Sequence, residues 1–288
     1  MSSSRSIVRS VVSRMFHGEW SVWRRRLYAG LRFGSRPLGS SGFRSHCRVK
    51  RDISHYSKRF HIPNIVASQK FPFSVAVKLN TGCTGVTVTE RHVITAAHCV
   101  TSNAASGRKI DKQVQVGFLT PSGNFNWIPV KRTFVPKEWV KRVLPSIKDD
   151  FALLVLRKKH NRPFLSPVPV NVSAVVDARS YVYFSAFDDA DNSRNLMYRV
   201  CQVQGASYGL LYQECSTESG ASGAGVYMQV YDLVQDHWDR VLVGIQNTRY
   251  SKALSAKELS VTLWFTNEII DFLCSWTSNS RYSLCSKR

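Results

Sequence analysis

Three polar residues lie far apart in the chain, in an order that suits nucleophilic catalysis. His98 comes first, Asp150 directly precedes the apolar run 151–156, and Ser222 lies within Gly220-Ala221-Ser222-Gly223. A neutral serine hydroxyl is a poor nucleophile unless a base lies within hydrogen-bonding reach. Glycines beside it let the backbone turn sharply and direct N–H groups at a developing oxyanion. A candidate base, a carboxylate and a serine between glycines together predict attack of an activated serine on an acyl carbon.

From about residue 52 to the C-terminus the sequence resembles the chymotrypsin-fold serine proteases. Within them it is most similar to a vertebrate branch that includes an inactive member. The matching segments are spread over most of the last four-fifths of the chain, and they are Lys78–Gly85, His92–Cys99, Val130–Thr133, Gly220–Gly223 and Gly225–Tyr227.

The resemblance implies an all-β fold of two antiparallel six-stranded β-barrels with a C-terminal α-helix. It also implies a hydrolase, a trypsin-like serine endopeptidase that cleaves protein or peptide substrates. In this sequence His98 would be the general base, Asp150 would orient it, and Ser222 would attack. The backbone N–H groups of Gly220 and Ser222 would form the oxyanion hole. Asp149 is the alternative. We favour Asp150 because Asp150 directly precedes the apolar run.

One residue departs from the digestive enzymes of this family, in which an aspartate precedes the nucleophile and pairs with the α-amino group created by activation cleavage. Here that position is Ala221. A methyl group cannot hold a buried ammonium group. The sequence therefore predicts a site that is preformed or held by other contacts.

The specificity pocket is expected to involve Ser216, Thr217, Gln246 and Arg249. Ser216 takes the place of the acidic residue at the base of the trypsin pocket, so a preference for Lys or Arg lacks its counter-ion. Thr217 lies where glutamyl endopeptidases carry a pocket hydroxyl, whereas Gln246 replaces their histidine. A polar or acidic residue before the scissile bond is one interpretation, and obstruction of the pocket by Arg249 is the other.

Seven cysteines favour an oxidising compartment. Six of them allow fifteen pairings, and the resemblance selects Cys83–Cys99, Cys201–Cys215 and Cys274–Cys285. Cys47 is left over, outside the expected catalytic domain. No CxxC or His/Cys cluster indicates a metal, and we expect no cofactor.

Residues 1–51 differ in composition from the rest of the chain. They hold twelve Lys or Arg and one acid, Glu19, and so contribute +11 of the net charge of +21. We expect a basic, disordered pro-segment over 1–51 and the protease domain over 52–288. Arg48-Val49-Lys50-Arg51 fits the pattern cut by furin-like convertases, which would release a chain starting at Asp52 and make the protein a zymogen.

The expected location is extracellular, although residues 1–51 contain no apolar run of seven or more as in a secretory signal peptide. We attribute this to a signal upstream of the given start. A mitochondrial presequence is the alternative, which the cysteines disfavour. Asn171-Val172-Ser173 is a glycosylation sequon if the chain is secreted.

Two other functional classes remain open. One is a secreted pseudoprotease on the same fold, and the other is a basic protein that binds heparin-like polyanions. No nucleic-acid motif accompanies the charge, and no membrane-spanning segment is expected. Residues 101–112 and 186–195 are expected to be loops, and Asn267 is expected to cap the C-terminal helix.

Overall fold

A computed structural model describes residues 31–32, 59–62, 64–104, 107–142, 144, 146–188, 194–232, 236–251, 258–278 and 283–285. Only the backbone is described for residues 31, 32, 104, 232, 248–251 and 258. The predictions for Cys47, the convertase motif ending at Arg51, and Asp52 lie outside these residues.

The first barrel has six antiparallel strands and closes on itself in the order β10-β5-β4-β3-β8-β9. Its segments are rich in Val, Ile and Thr, which pack well on a pleated surface. The strands are β3 (Ala76–Leu79), β4 (Thr84–Thr89), β5 (His92–Thr95), β8 (Gln115–Leu119), β9 (Phe125–Phe134) and β10 (Ala152–Leu156).

The second barrel follows in sequence and also has six antiparallel strands. Their order is β14-β11-β12-β13-β16-β15, and pairing of β14 with β15 closes the ring. The two barrels confirm the expected fold class. The strands are β11 (Tyr181–Ala186), β12 (Met197–Ser207), β13 (Leu210–Glu214), β14 (Gly225–Asp232), β15 (His237–Ser251) and β16 (Glu258–Trp264).

Shorter elements surround the barrels. They are β1 (Leu31–Arg32), which pairs with β14, β2 (Arg59–His61), which pairs with β12, the hairpin β6 (Thr101–Ala104) and β7 (Gly107–Ile110), and the helices α1 (Ile65–Ser68), α2 (Lys137–Lys141), α3 (Val172–Asp177) and α4 (Asn267–Thr277). None of the helices among the described residues is long and apolar enough to cross a membrane.

Two local predictions were wrong. Residues 101–112 are not one loop, because most of them form the hairpin β6–β7. The cap of α4 is Thr266, whose Oγ1 accepts the N–H of Ile269 at 3.3 Å, one residue before the expected Asn267. Both residue types are good helix caps, so the pattern did not distinguish them.

Apolar side chains fill both barrels, and three disulfides cross-link the described part of the chain. The largest buried cluster joins the first barrel to α4 through residues such as Leu153, Phe265 and Ile270. The structure forms the disulfides Cys83–Cys99, Cys201–Cys215 and Cys274–Cys285.

His160, which follows β10, is buried as a neutral ring. Its Nε2 lies 2.6 Å from the carbonyl oxygen of Thr89, and its Nδ1 accepts the N–H of Arg162 at 3.3 Å. These partners require the proton on Nε2. The ring also stacks on Phe118. Burial lowers the pKa of His160 below its usual value.

Acidification should therefore destabilise the fold partly through His160. Between the lowered pKa and the unfolded value of about 6.5, the unfolded chain binds the extra proton, so the free energy of unfolding falls as pH falls. His160→Gln keeps a donor for Thr89 and removes the titration. Urea unfolding at about pH 7.5 and 5 should show a smaller loss in the variant than in the wild type. An equal loss would contradict this account.

Candidate active site

Pairing of two strands in the first barrel brings His98 and Asp150 together. His98 lies in the 3-10 turn Ala97–Val100 that follows β5, and Asp150 lies just before β10. These strands are hydrogen-bonded neighbours, with Thr95 opposite Ala152. The two functional residues therefore leave the same end of one strand pair.

The carboxylate of Asp150 contacts His98 through both oxygens. Oδ2 lies 2.7 Å from His98 Nδ1, and Oδ1 accepts the backbone N–H of His98 at 2.8 Å. The side chain of Asp150 is 5% exposed and that of His98 is 38% exposed. A carboxylate can only accept here, so Nδ1 carries the proton and Nε2 keeps its lone pair. Asp149 makes no contact of this kind with His98 within the described residues.

Asn247 connects this pair to Ser222. Asn247 Nδ2 donates to Asp150 Oδ2 at 2.8 Å, and its carbonyl oxygen accepts from Ser222 Oγ at 2.9 Å. In the part of the chain that the structure describes, Ser222 Oγ is not hydrogen-bonded to His98. Rotation about χ1 of Ser222 is therefore needed to direct its proton at Nε2.

Two glycines with left-handed backbone form the turn that carries Ser222. Gly220 has φ +103°, and a Cβ there would lie 2.6 Å from the carbonyl oxygen of Phe187. Gly223 has φ +81°, and a Cβ there would overlap Thr95 and Thr84. Only glycine fits both the dihedral angles and the space. Within the described residues the N–H groups of Gly220 and Ser222 donate to no acceptor, as an oxyanion hole requires.

Sequence reasoning missed two residues of this site, Thr84 and Asn247. Thr84 Oγ1 donates to the carbonyl oxygen of Gly220 at 2.8 Å and accepts the N–H of Phe187 at 3.0 Å. Its backbone N–H donates to the carbonyl oxygen of Ser222 at 3.0 Å. The one signal in the sequence was the position of Asn247 next to Gln246, in a segment expected to line the specificity pocket.

The residues assigned to the specificity pocket differ in their burial and in their hydrogen-bond partners. Thr217 is buried, and the carbonyl oxygen of Ser216 accepts from Arg199 Nε at 2.7 Å. Gln246 is buried, and its Oε1 accepts from Gln213 Nε2 at 2.9 Å.

For Arg249 only the strand pairing is described, opposite Ser260 on β16, and its side chain lies outside the description. The side chain of Asn171 caps α3 by accepting the N–H of Ala174 at 3.4 Å.

Known proteins share both this fold and this sequence pattern. The trypsin family model matches residues 65–232. Human serine protease 23 is 40% identical over an alignment of 230 residues, and the match covers 73% of this chain and 58% of the relative. Human inactive serine protease 35 is 29% identical over an alignment of 256 residues, and the match covers 69% of this chain and 61% of the relative.

A solved structure described as Glu endopeptidase in complex with MPD is also similar in fold. Its TM-score is 0.59 at 18% identity, and the match covers 78% of this chain and 98% of that one. A likeness at this identity supports the fold alone.

The fold and the site define a chymotrypsin-like serine protease architecture. The family model spans more than half of the chain, which therefore belongs to the trypsin family. The chain spans less than two thirds of the length of the human relatives named above.

Proposed function

We propose that the protein is a secreted serine endopeptidase in which His98, Asp150 and Ser222 form the catalytic triad. The observation that carries this proposal is the double contact of Asp150 with His98. It keeps the proton on Nδ1 and leaves Nε2 available as a base. An inactive relative lies in the same family, so activity has to be tested on this chain.

The reaction would proceed through an acyl-enzyme. Ser222 Oγ attacks the carbonyl carbon of the scissile peptide bond while its proton moves to His98 Nε2. The oxyanion that forms accepts hydrogen bonds from the backbone N–H groups of Gly220 and Ser222. The amine leaves with the proton from Nε2, and water then hydrolyses the acyl ester through the same base.

Substrate preference belongs to the same proposal. The carbonyl oxygen of Ser216 accepts from Arg199, and Oε1 of Gln246 accepts from Gln213. Neither Ser216 nor Gln246 carries a negative charge that could pair with a Lys or Arg side chain of the substrate. This favours a polar residue over Lys or Arg before the scissile bond.

Maturation and location complete the proposal. Cleavage after Arg51 by a furin-like convertase would release a mature domain of residues 52–288 into the medium, with Asn171 as a glycosylation site. Three disulfides in the folded domain support an oxidising compartment.

Binding of heparin-like polyanions is a second candidate function. Exposed basic residues lie where β7 packs near α2, including Lys109, Lys141 and Arg142. Arg108 Nη1 donates to the carbonyl oxygen of Arg142 at 3.4 Å, which holds the two elements together. The logarithm of the heparin-binding constant should then fall linearly with the logarithm of salt concentration, and a flat response would exclude this function.

A fluorophosphonate probe tests the catalytic proposal without a known substrate. The full chain, expressed behind a secretory signal, should yield protein in the culture medium that becomes covalently labelled. Mass spectrometry should place the label on Ser222 and the N-terminus at Asp52. Folded protein that stays unlabelled, or a label on another serine, would overturn the catalytic assignment. Protein that keeps residues 1–51 would overturn the maturation step.

A further inference from the structure

The segment from Cys215 to Gly220 leads into the turn that carries Ser222, so its conformation decides where the N–H of Gly220 points. The side chain of Ala221, which follows it, is 2% exposed and packs in the apolar core of the second barrel. No charge at this position can fix the segment. Its stabilisation must come from neighbouring residues.

A buried ion pair lies against this segment. Arg199 is on β12, and Asp188 follows the end of β11. Both side chains are 0% exposed, and Arg199 Nη2 donates to Asp188 Oδ2. Burial raises the pKa of Asp188 and lowers that of Arg199, each opposed by the charge of the other residue. Such a pair is tolerated only where further hydrogen bonds satisfy it.

Two such bonds go to the segment itself, whereas Oδ1 of Asp188 has no hydrogen-bond partner among the described residues. Arg199 Nε donates to the carbonyl oxygen of Ser216 at 2.7 Å, and the N–H of Glu218 donates to Asp188 Oδ2 at 2.9 Å. Arg199 thus fixes the backbone carbonyl group of Ser216, and Asp188 fixes the backbone N–H of Glu218, two residues further on.

The residue before Asp188 supports the turn from the other side. The carbonyl oxygen of Phe187 lies close to the Cα of Gly220, where a Cβ would approach it to 2.6 Å. Arg59, on β2, stabilises the stretch Phe187-Asp188, because its Nη2 donates to the carbonyl oxygen of Asp188 at 3.1 Å. One connected unit is therefore formed by the ion pair, the stretch Phe187-Asp188 and the turn that carries Ser222.

We propose that Asp188 and Arg199 are positioning residues. They hold the segment from Cys215 to Gly220 in the conformation that directs the N–H of Gly220 at the substrate. They supply from within the folded domain the fixed charge that Ala221 cannot supply. This inference rests on the proposed function, because the direction of that N–H matters for catalysis only if an oxyanion forms there.

Replacement of Arg199 in the full-length chain tests the proposal. Arg199→Met should lower the rate constant for fluorophosphonate labelling of Ser222 by roughly 10²-fold, the effect of losing one oxyanion donor. Arg199→Lys should recover part of the rate, because it keeps the charge beside Asp188 but lacks the Nε donor to Ser216. Asp188→Asn, which keeps the shape of the side chain, should also lower the labelling rate. It replaces Arg199→Met in the test if Arg199→Met does not fold.

Val203→Ala is the matched control. Val203 is also buried and lies on β12, but its side chain packs in the core of the second barrel. Its loss should lower the melting temperature while leaving the labelling rate within about threefold of the wild type, as for a change that only creates a cavity. An equal fall in labelling in Val203→Ala and Arg199→Met would reduce the ion pair to a general structural role and overturn the proposal.

Amide hydrogen exchange gives a readout that does not need activity. Peptides covering residues 215–222 should lose protection in Arg199→Met and keep it in Val203→Ala, while peptides of the first barrel stay unchanged. Unchanged protection together with unchanged labelling in Arg199→Met would overturn the inference. If the wild type is not labelled at all, the proposed function fails, and the exchange data alone decide whether the ion pair holds the segment.

Discussion

Replacement of Ser222 by alanine is expected to lower kcat for peptide hydrolysis on the order of 10⁶-fold. Losses of this size follow removal of the nucleophile from a comparable triad. The change removes one hydroxyl that donates a single bond, to the carbonyl oxygen of Asn247. The melting temperature should therefore change by only a few degrees, since one hydrogen bond contributes about 1 kcal/mol.

His98→Ala provides the companion measurement. The base and the nucleophile act as a unit, so the single variants and the double variant should lose similar activity rather than multiply their losses. Cleavage assays on all three, with melting temperatures to confirm folding, check this. Residual activity in Ser222→Ala close to that of the wild type would mean that another residue attacks.

Asp150→Asn is expected to lower kcat by about 10⁴-fold, because it places the proton on the wrong ring nitrogen. The backbone N–H of His98 requires an acceptor at the Oδ1 position. The new amide must therefore present its NH₂ group to Nδ1, which then accepts, and Nε2 carries the proton. The same NH₂ group also faces the donor Nδ2 of Asn247. The neutral ring can then no longer take the proton of Ser222.

Asp149→Asn is the natural control, since Asp149 is the neighbouring acid and does not contact His98 among the described residues. Its kcat should remain within about threefold of the wild type, as for a surface charge outside the triad. Steady-state kinetics of the two variants, together with the pH dependence of kcat, separate the two carboxylates. A large loss in Asp149→Asn with little change in Asp150→Asn would reverse the assignment.

The sequence was sufficient to predict the fold. It also singled out three residues that the structure connects, His98 and Asp150 directly and Ser222 through Asn247, because the local requirements of each are visible in short motifs. Glycines at 220 and 223 reflect left-handed backbone, and the apolar run after Asp150 marks a buried strand. Asn247 was not predicted. Its role depends on a contact between β15 of the second barrel and Asp150 of the first, made at the register shift between Gln246 and Thr248. No local sequence pattern encodes such a contact.

The ion pair of Asp188 and Arg199 was missed for a different reason. Asp188 begins the run Asp188-Asp189-Ala190-Asp191, which is typical of a solvated loop. Arg199 lies in a strand that alternates like any half-buried strand. Only the closed barrel buries both side chains together.

The bond between Ser222 Oγ and the carbonyl oxygen of Asn247 also bears on the timing of the reaction. Turning the hydroxyl toward His98 exchanges one neutral hydrogen bond for another, a difference of about 1 kcal/mol or less. The two rotamers would then be of comparable population and would interconvert in picoseconds to nanoseconds. Typical turnover takes milliseconds or longer, so the resting orientation of the serine would be in rapid equilibrium and would not limit the rate.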